Sequence, residues 1–415
     1  MAGRVLACLV LALLCTPTLA PAQGPHAGGG MPVDEKFTFP AGQRRVVIPF
    51  TNIGEHVVIP ISVNGSPPLQ VVFDTGMPSP GILLYRGTPA DSIAFDYSPL
   101  PIRVGGAGGG GAMDAKLAIN VSLKAAGLEV GNTIAIVMPP TPQMSKLHDG
   151  IVGATFFANF IVTIDHDKSE LVLEKREGFE APMGASEVPL EFNGRMAYVK
   201  AGLLDGHGGV TPISLVLDLG AMHAVSLNSK SNAAVQAPAS ALATTIGRGR
   251  AGPIPGRVGR IAGLEVGGLR LTNLVSTFPD SAFQNPRGMD SRNGNLGSGF
   301  MGRFNVTLDM PGKRMFMVPN RRFTEPFEWD MTGVRFDLDP LGTLAATEVL
   351  PGSPGALAGI APGDLLVAVD GAPADARSLQ KQRASFRQPG RVIVFRLRGK
   401  DGVERDVRVT TKRLV

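Results

Sequence analysis

Two short segments carry the residues best suited to chemistry. Asp74-Thr75-Gly76 closes the apolar run Val71-Val72-Phe73, and Asp218-Leu219-Gly220 closes Leu215-Val216-Leu217, 144 residues later. An apolar strand ending in such a turn carries a carboxylate to the mouth of a β core. The glycine lets another backbone come close, and the Thr75 hydroxyl can lock the turn by bonding to backbone. If the two segments face each other, their carboxyls share one proton, because like charges about 3 Å apart cannot both ionise. One group then acts as general base on a water while the other donates to a carbonyl. The pair titrates as a unit.

The elements around them repeat. Gly153-Ala-Thr-Phe156-Phe-Ala-Asn-Phe160-Ile-Val162-Thr163-Ile-Asp165 aligns with Gly297-Ser-Gly-Phe300-Met-Gly-Arg-Phe304-Asn-Val306-Thr307-Leu-Asp309, again at 144. Between them, Ala126-Gly-Leu-Glu-Val-Gly131 recurs as Ala262-Gly-Leu-Glu-Val-Gly267 at 136, so loops before and after it compensate in length. Residues 45–185 and 186–320 therefore read as two copies of one unit. Each copy is β-rich. His56-Val-Val-Ile-Pro-Ile-Ser-Val63 ends at the turn signal Asn64-Gly65, and 197–204 ends at Asp205-Gly206. Phe156/Phe160 and Phe300/Phe304 have i,i+4 spacing, which suits one short helix before a hairpin at 162–172 and at 306–318.

Asp74-Thr75-Gly76, its downstream Ile151-Val152-Gly153 and the context Asp149-Gly150-Ile-Val-Gly-Ala-Thr-Phe156 resemble the aspartic proteases, in their bacterial retropepsin-like branch. The resemblance implies a mostly β chain with two duplicated aspartic-protease-type β-barrel lobes, a peptide cleft between them and endopeptidase activity without a cofactor or metal. It makes Asp74 and Asp218 the catalytic pair, supported by Thr75, Gly76, Leu219, Gly220, Gly153 and Gly297. Two residues depart from the pattern. Leu219 stands where the family has Thr or Ser, and Asn295 stands where a hydrophobic residue is expected before Leu296-Gly297. No Tyr lies between residues 98 and 197, so a flap tyrosine is missing. The flap falls on Gly105, Gly106, Ala107, Gly108, Gly109, Gly110 and Gly111, a run expected to be mobile.

Other candidates are weaker. Six histidines (His26, His56, His148, His166, His207 and His223) show no metal-binding spacing; His223 is the one close to Asp218 in sequence. Arg248, Arg250, Arg257 and Arg260 cluster at the copy-two equivalent of the flap, as a solvated loop at the cleft rim or a site for an anionic partner.

From Gly333 the pattern changes. Pro351-Gly352-Ser353-Pro354, Ala358-Gly359-Ile360, Gly363-Asp364 and Asp370-Gly371 follow in order, with alternating strands at 391–398 and 404–410. This series resembles a bacterial PDZ domain, small and α+β, at 333–415 after a linker at 321–332 with Trp329 as its packing anchor. The resemblance implies capture of a peptide C-terminus by strand addition, with Gly333, Val334, Arg335 and Phe336 as the binding loop.

Composition fits this plan. The 415 residues are 44% hydrophobic and 18% charged, with 53 Gly and 34 Pro and no Gly-X-Y period. That describes a folded, turn-rich chain. A net charge of +5 with scattered basic residues gives no nucleic-acid footprint. Arg4, the apolar run 5–14 and Ala20-Pro21-Ala22 read as a signal peptide over 1–22, so export to the periplasm or medium is expected. Residues 23–44 read as a flexible segment. Both cysteines, Cys8 and Cys15, lie in the leader, which excludes thiol chemistry from the mature chain. No apolar run is long enough for a membrane span. The expected partners are peptide or protein substrates. Two rival readings stay open: a catalytically degenerate peptide-binding protein, marked by Leu219, and a protease active only as a dimer through the first copy.

Overall fold

The computed structural model describes residues 33–284, 292–339 and 341–415. The expected leader and residues 23–32 lie outside them. Each repeat copy folds as a β lobe. In lobe 1, strands His56–Val63, Leu69–Phe73, Ile82–Tyr85, Met113–Ala125, Leu128–Met138 and Gly150–Val152 enclose a core that includes Ile59, Val71, Phe73 and Leu84. In lobe 2 the corresponding core strands include Met196–Leu204, Val210–Asp218, Gly252–Val266 and Gly294–Gly297. The short helices fall where the Phe spacing places them, at Ala154–Phe157 and Ser298–Met301. Phe156, Phe160, Phe300 and Phe304 are all buried.

The two hairpins expected after these helices form, but they do not stay within their own lobes. Strands Arg45–Pro49, Glu170–Glu174, Ile161–Asp165, Phe304–Asp309, Arg314–Pro319 and Ser186–Asn193 pair in that order as one continuous run beneath both lobes. At its centre Thr163 pairs with Thr307, and their hydroxyls lie 2.9 Å apart. These residues are equivalent in the repeat. Equivalent residues touch only where they straddle a twofold axis, so this contact marks the pseudo-twofold between the lobes.

Lobe 1 begins earlier than residue 45. Strand Lys36–Thr38 pairs with Leu128–Met138, and Glu35 accepts a 2.8 Å hydrogen bond from Thr155. The end of the segment read as flexible is thus part of the lobe. The sequence 321–332 differs from a free linker in the same way. Phe327 is buried under the Arg303 guanidinium, 4.5 Å from the ring centre, and Met331 is buried. Trp329, the expected anchor, is half-buried.

The C-terminal domain has its own sheet, in the order Val334–Leu338, Leu344–Val349, Leu365–Val369, Val392–Arg398, Glu404–Thr410. Phe336, Phe386 and Phe395 pack together in its core. Helix Ala376–Gln382 starts at Asp375 in a capping box with Ser378. This domain is docked on both lobes. Leu147 of lobe 1 packs against its core, the Arg377 Nε donates to Leu147 O at 3.0 Å, and Lys146 Nζ donates to Gly342 O at 2.7 Å. On lobe 2, Arg335 donates to Thr245 O, and Thr245 N donates to Glu348, each at 3.0 Å.

Placing a charge at Leu147 would oppose this docking, since an unpaired charge in an apolar contact is strongly unfavourable. Leu147→Asp is expected to raise limited proteolysis between residues 321 and 332 several-fold while the lobes stay folded by circular dichroism. Unchanged cleavage at the connector would show that Leu147 does not hold the domain.

Candidate active site

The backbone around the two aspartates obeys the twofold closely. Asp74 follows strand Leu69–Phe73 and Asp218 ends strand Val210–Asp218. Each strand lies parallel to a short strand of its own copy, with Phe73 beside Val152 and Asp218 beside Gly297. Met77 N donates to Asp74 O at 3.3 Å, and Ala221 N to Asp218 O at 3.2 Å. Ala154 N reaches Met77 O at 3.1 Å, and Ser298 N reaches Ala221 O at 2.8 Å. Gly153 and Gly297 stand behind these turns. A Cβ on Gly153 would lie 2.4 Å from Asp74 O, and one on Gly297 would lie 2.2 Å from His223 O. No side chain fits at either place.

The carboxyls meet at the second pair of glycines. A Cβ on Gly76 would lie 2.6 Å from Asp218 Oδ1, and a Cβ on Gly220 would lie 2.4 Å from Asp74 Oδ2. Each glycine therefore abuts the carboxyl of the opposite lobe. Asp74 is only 9% exposed. Its Oδ1 accepts from Gly76 N at 2.6 Å and from Gly220 N at 2.8 Å. Burial, and then the charge of Asp218, push the Asp74 carboxyl up to about 7, against the pull of those two amides and of Arg250.

The side chains break the symmetry. Thr75 Oγ1 donates to Leu217 O at 2.8 Å and accepts from Leu219 N at 3.0 Å. One hydroxyl thus ties lobe 1 to the opposite turn. Leu219 offers no hydroxyl in return; its side chain is in the core, 4% exposed. Asn295 Nδ2 donates to Asp218 Oδ2 at 2.9 Å, and its Oδ1 faces Arg292 Nη1 at 3.5 Å. Sequence reasoning noted Asn295 only as a departure. The usable signal was its place 144 residues after Ile151, where one polar residue replaces an apolar one beside a carboxylate strand.

Sequence reasoning also missed His56, which read as an ordinary strand residue. Its Nε2 lies 2.9 Å from Gly220 O. A carbonyl only accepts, so Nε2 carries the proton. Burial holds His56 below the usual histidine range and takes the adjoining His148, 6.3 Å away between ring centres, down to about 3. His56 supports the turn as a neutral ring, and His148 Nδ1 lies 3.0 Å from Gly150 O. His223 is half-buried near Asp218, its buried Nε2 has no hydrogen-bond partner among the described residues, and burial lowers it too.

Residues 105–112 form the tip of a hairpin between Ile102–Val104 and Met113–Ala125. It does not end in open space. Gly110 N donates to Ala251 O at 2.5 Å, and Ala251 N donates to Ala107 O at 2.9 Å. Ala251 sits at the tip of the lobe 2 hairpin Leu242–Gly249 and Gly252–Val266. Gly108 makes the contact possible: its φ is +115°, and a Cβ there would lie 2.5 Å from Ala251 C. Gly106 lies beneath Arg250, Gly109 faces the Phe283 ring, and Gly105 and Gly111 have no neighbour within 4 Å of a Cβ. In the C-terminal domain, Gly333 has φ +70°, and Val334 and Phe336 are buried. The Arg335 guanidinium is committed to Asp337 at 2.6 Å and to Thr245.

Residues 59–156 match the family model described as aspartyl protease, and residues 346–398 match that of the PDZ domain. An aspartyl-protease module and a PDZ module share this chain. A crystal structure of an aspartic proteinase from Irpex lacteus is similar at 12% identity, covering 68% of this chain and 99% of that one, with a TM-score of 0.46. No curated protein matches the chain. Among the described residues, no helix is long and apolar enough to cross a membrane.

Thr75 is the testable joint of this site. Thr75→Val removes a buried donor and acceptor at once and leaves Leu217 O and Leu219 N unpaired. A loss of about 2–3 kcal/mol in denaturant unfolding is expected, and Thr75→Ser, which keeps the hydroxyl, should lose much less. A neutral Thr75→Val would show that the tie carries no stability.

Proposed function

We propose that the chain is an exported aspartic endopeptidase that cleaves peptide bonds with Asp74 and Asp218. The observation that carries this reading is the convergence of both carboxyls on Gly76 and Gly220 at the pseudo-twofold. One chain supplies both groups, so a second copy is not required. Leu219 takes the place of a bracing hydroxyl, but its backbone N–H still bonds Thr75 across the junction. The signal-like leader supports export, and the PDZ module supports a role in holding a substrate or partner.

In the proposed reaction the shared proton rests on Asp74. Water attacks the peptide carbonyl carbon as Asp218 takes one of its protons. Asp74 gives its proton to the carbonyl oxygen. The resulting diol collapses when Asp218 returns its proton to the amine nitrogen; the C–N bond breaks and a diol hydroxyl reprotonates Asp74. The hairpins meet tip to tip and have to part to admit an extended peptide.

The test is cleavage of a diverse peptide library from pH 3 to 9 by wild type, Asp74→Asn and Asp218→Asn. Wild-type cleavage should fall above about pH 7, where the shared proton is lost, and both variants should lose at least about 100-fold. Activity surviving in Asp218→Asn would exclude the in-chain pair, and no cleavage by wild type would leave a peptide-binding protein. Stability gives a second readout. The native carboxyl of Asp74 holds its proton to a higher pH than the unfolded one, 3.8 against about 7. Between those values the native state binds more protons, so its contribution to stability falls as pH rises. Asp74→Asn should remove that fall from the thermal unfolding profile.

A further inference from the structure

The four arginines of the lobe 2 hairpin separate into two kinds. Arg257 donates to Ala241 O at 3.0 Å. Arg260 bonds Val415 O, Asn273 O, Phe327 O and Glu328. These two are structural. Arg248 and Arg250 make no hydrogen bond or ion pair among the described residues, and Arg248 Nε is buried without a partner. Arg248 lies at the end of strand Leu242–Gly249 and Arg250 in the turn that follows it. Arg250 lies over the flap, where a Cβ on Gly106 would be 2.7 Å from Arg250 Cβ and 3.3 Å from Nε. Its charge reaches both Asp74 and Tyr85. A guanidinium is expensive to bury unpaired and is shaped to take a carboxylate through two parallel N–H bonds. Arg248 thus carries one buried unpaired nitrogen and Arg250 stands over the flap without an anion, which an acidic group of a bound peptide would supply to both.

We propose that Arg248 and Arg250 recognise an acidic side chain beside the scissile bond, making this a protease for Glu- or Asp-containing peptides. The inference rests on the endopeptidase reading. The closest competitor is electrostatic: Arg250 could act on Asp74 alone, with no contact to substrate. The two differ in what they respond to. Recognition distinguishes Glu from Gln in the peptide. Tuning of the pair shifts the pH profile equally for both.

The experiment uses the full chain, with Arg248→Gln and Arg250→Gln, on matched peptides that differ by Glu or Gln at positions flanking the bond cut. Wild type should favour the Glu peptide about tenfold or more in kcat/KM; Arg248→Gln should reduce that preference while cutting the Gln peptide as before, and Arg250→Gln should reduce it on top of a pH shift shared by both peptides, because its charge also acts on Asp74. Equal cleavage of the two peptides by wild type would overturn the proposal. So would variants that keep the preference, including an Arg250→Gln that shifts the pH profile alike for both peptides and leaves their ratio unchanged. If wild type cuts neither peptide, the endopeptidase reading fails and calorimetric binding of the same pair decides the arginines alone. Tighter binding of the Glu peptide, lost in the variants, supports the acidic site, and equal binding removes it.

Discussion

Placing equivalent residues on a twofold axis constrains every group there, because each must tolerate its own counterpart. Thr163 and Thr307 satisfy this simply, since a hydroxyl both donates and accepts. Two glycines satisfy it by leaving space. Two carboxylates do not satisfy it while both are charged. Asp74 and Asp218 are brought together by the surrounding strands, and the conflict is relieved by a proton; burial, and then the charge of Asp218, raise Asp74 to about 7. The chemistry of the site follows from the symmetry of the fold. The continuous sheet beneath both lobes fixes the axis, and the glycines behind each turn let the aspartate strands approach it.

The same symmetry explains why the departures are informative. A duplicated unit starts with equal partners, so each unequal pair assigns different work to the two sides. Thr75 opposite Leu219 keeps one hydroxyl where two would be expected. That hydroxyl spans the junction by using both its donor and acceptor capacity on backbone. Ile151 opposite Asn295 puts an amide donor on Asp218 alone. Asp74 instead receives two backbone amides on one oxygen, leaving the other free for the proton. The two carboxyls are therefore unequal before any substrate arrives.

Much of this was legible in the residues because it depends on period. The 144-residue offset located both aspartates, both backing glycines and both Phe-lined helices. Burial of alternate apolar residues explains the strands. Contacts between copies were not legible. Nothing in 162–172 or 306–318 says that the hairpins pair with each other, since a strand edge does not encode its partner. His56 was hidden for the same reason, since its partner Gly220 lies in the other lobe, whereas Asn295 meets Asp218 of its own copy from 77 residues away in sequence. The flap read as mobile from its glycines, yet those glycines serve a close backbone contact with the opposite hairpin. A glycine run permits both outcomes, and only the neighbour decides.

The PDZ domain is braced on two segments that flank the aspartates. Leu147 leads within five residues to Val152, whose carbonyl accepts from Asp74 N at 2.9 Å. Thr245, held by Arg335 and Glu348, lies on the strand that carries Arg248. Arg335 belongs to the loop that the resemblance gives to a peptide carboxylate, and here it is engaged by lobe 2. A ligand that needs Arg335 competes with Thr245 and Asp337 for it. Such competition is reciprocal: whatever weakens the docking by binding the PDZ domain is itself weakened by the docking. The domain is thus braced against the strand that carries Arg248, and displacing Arg335 would loosen a contact to that strand.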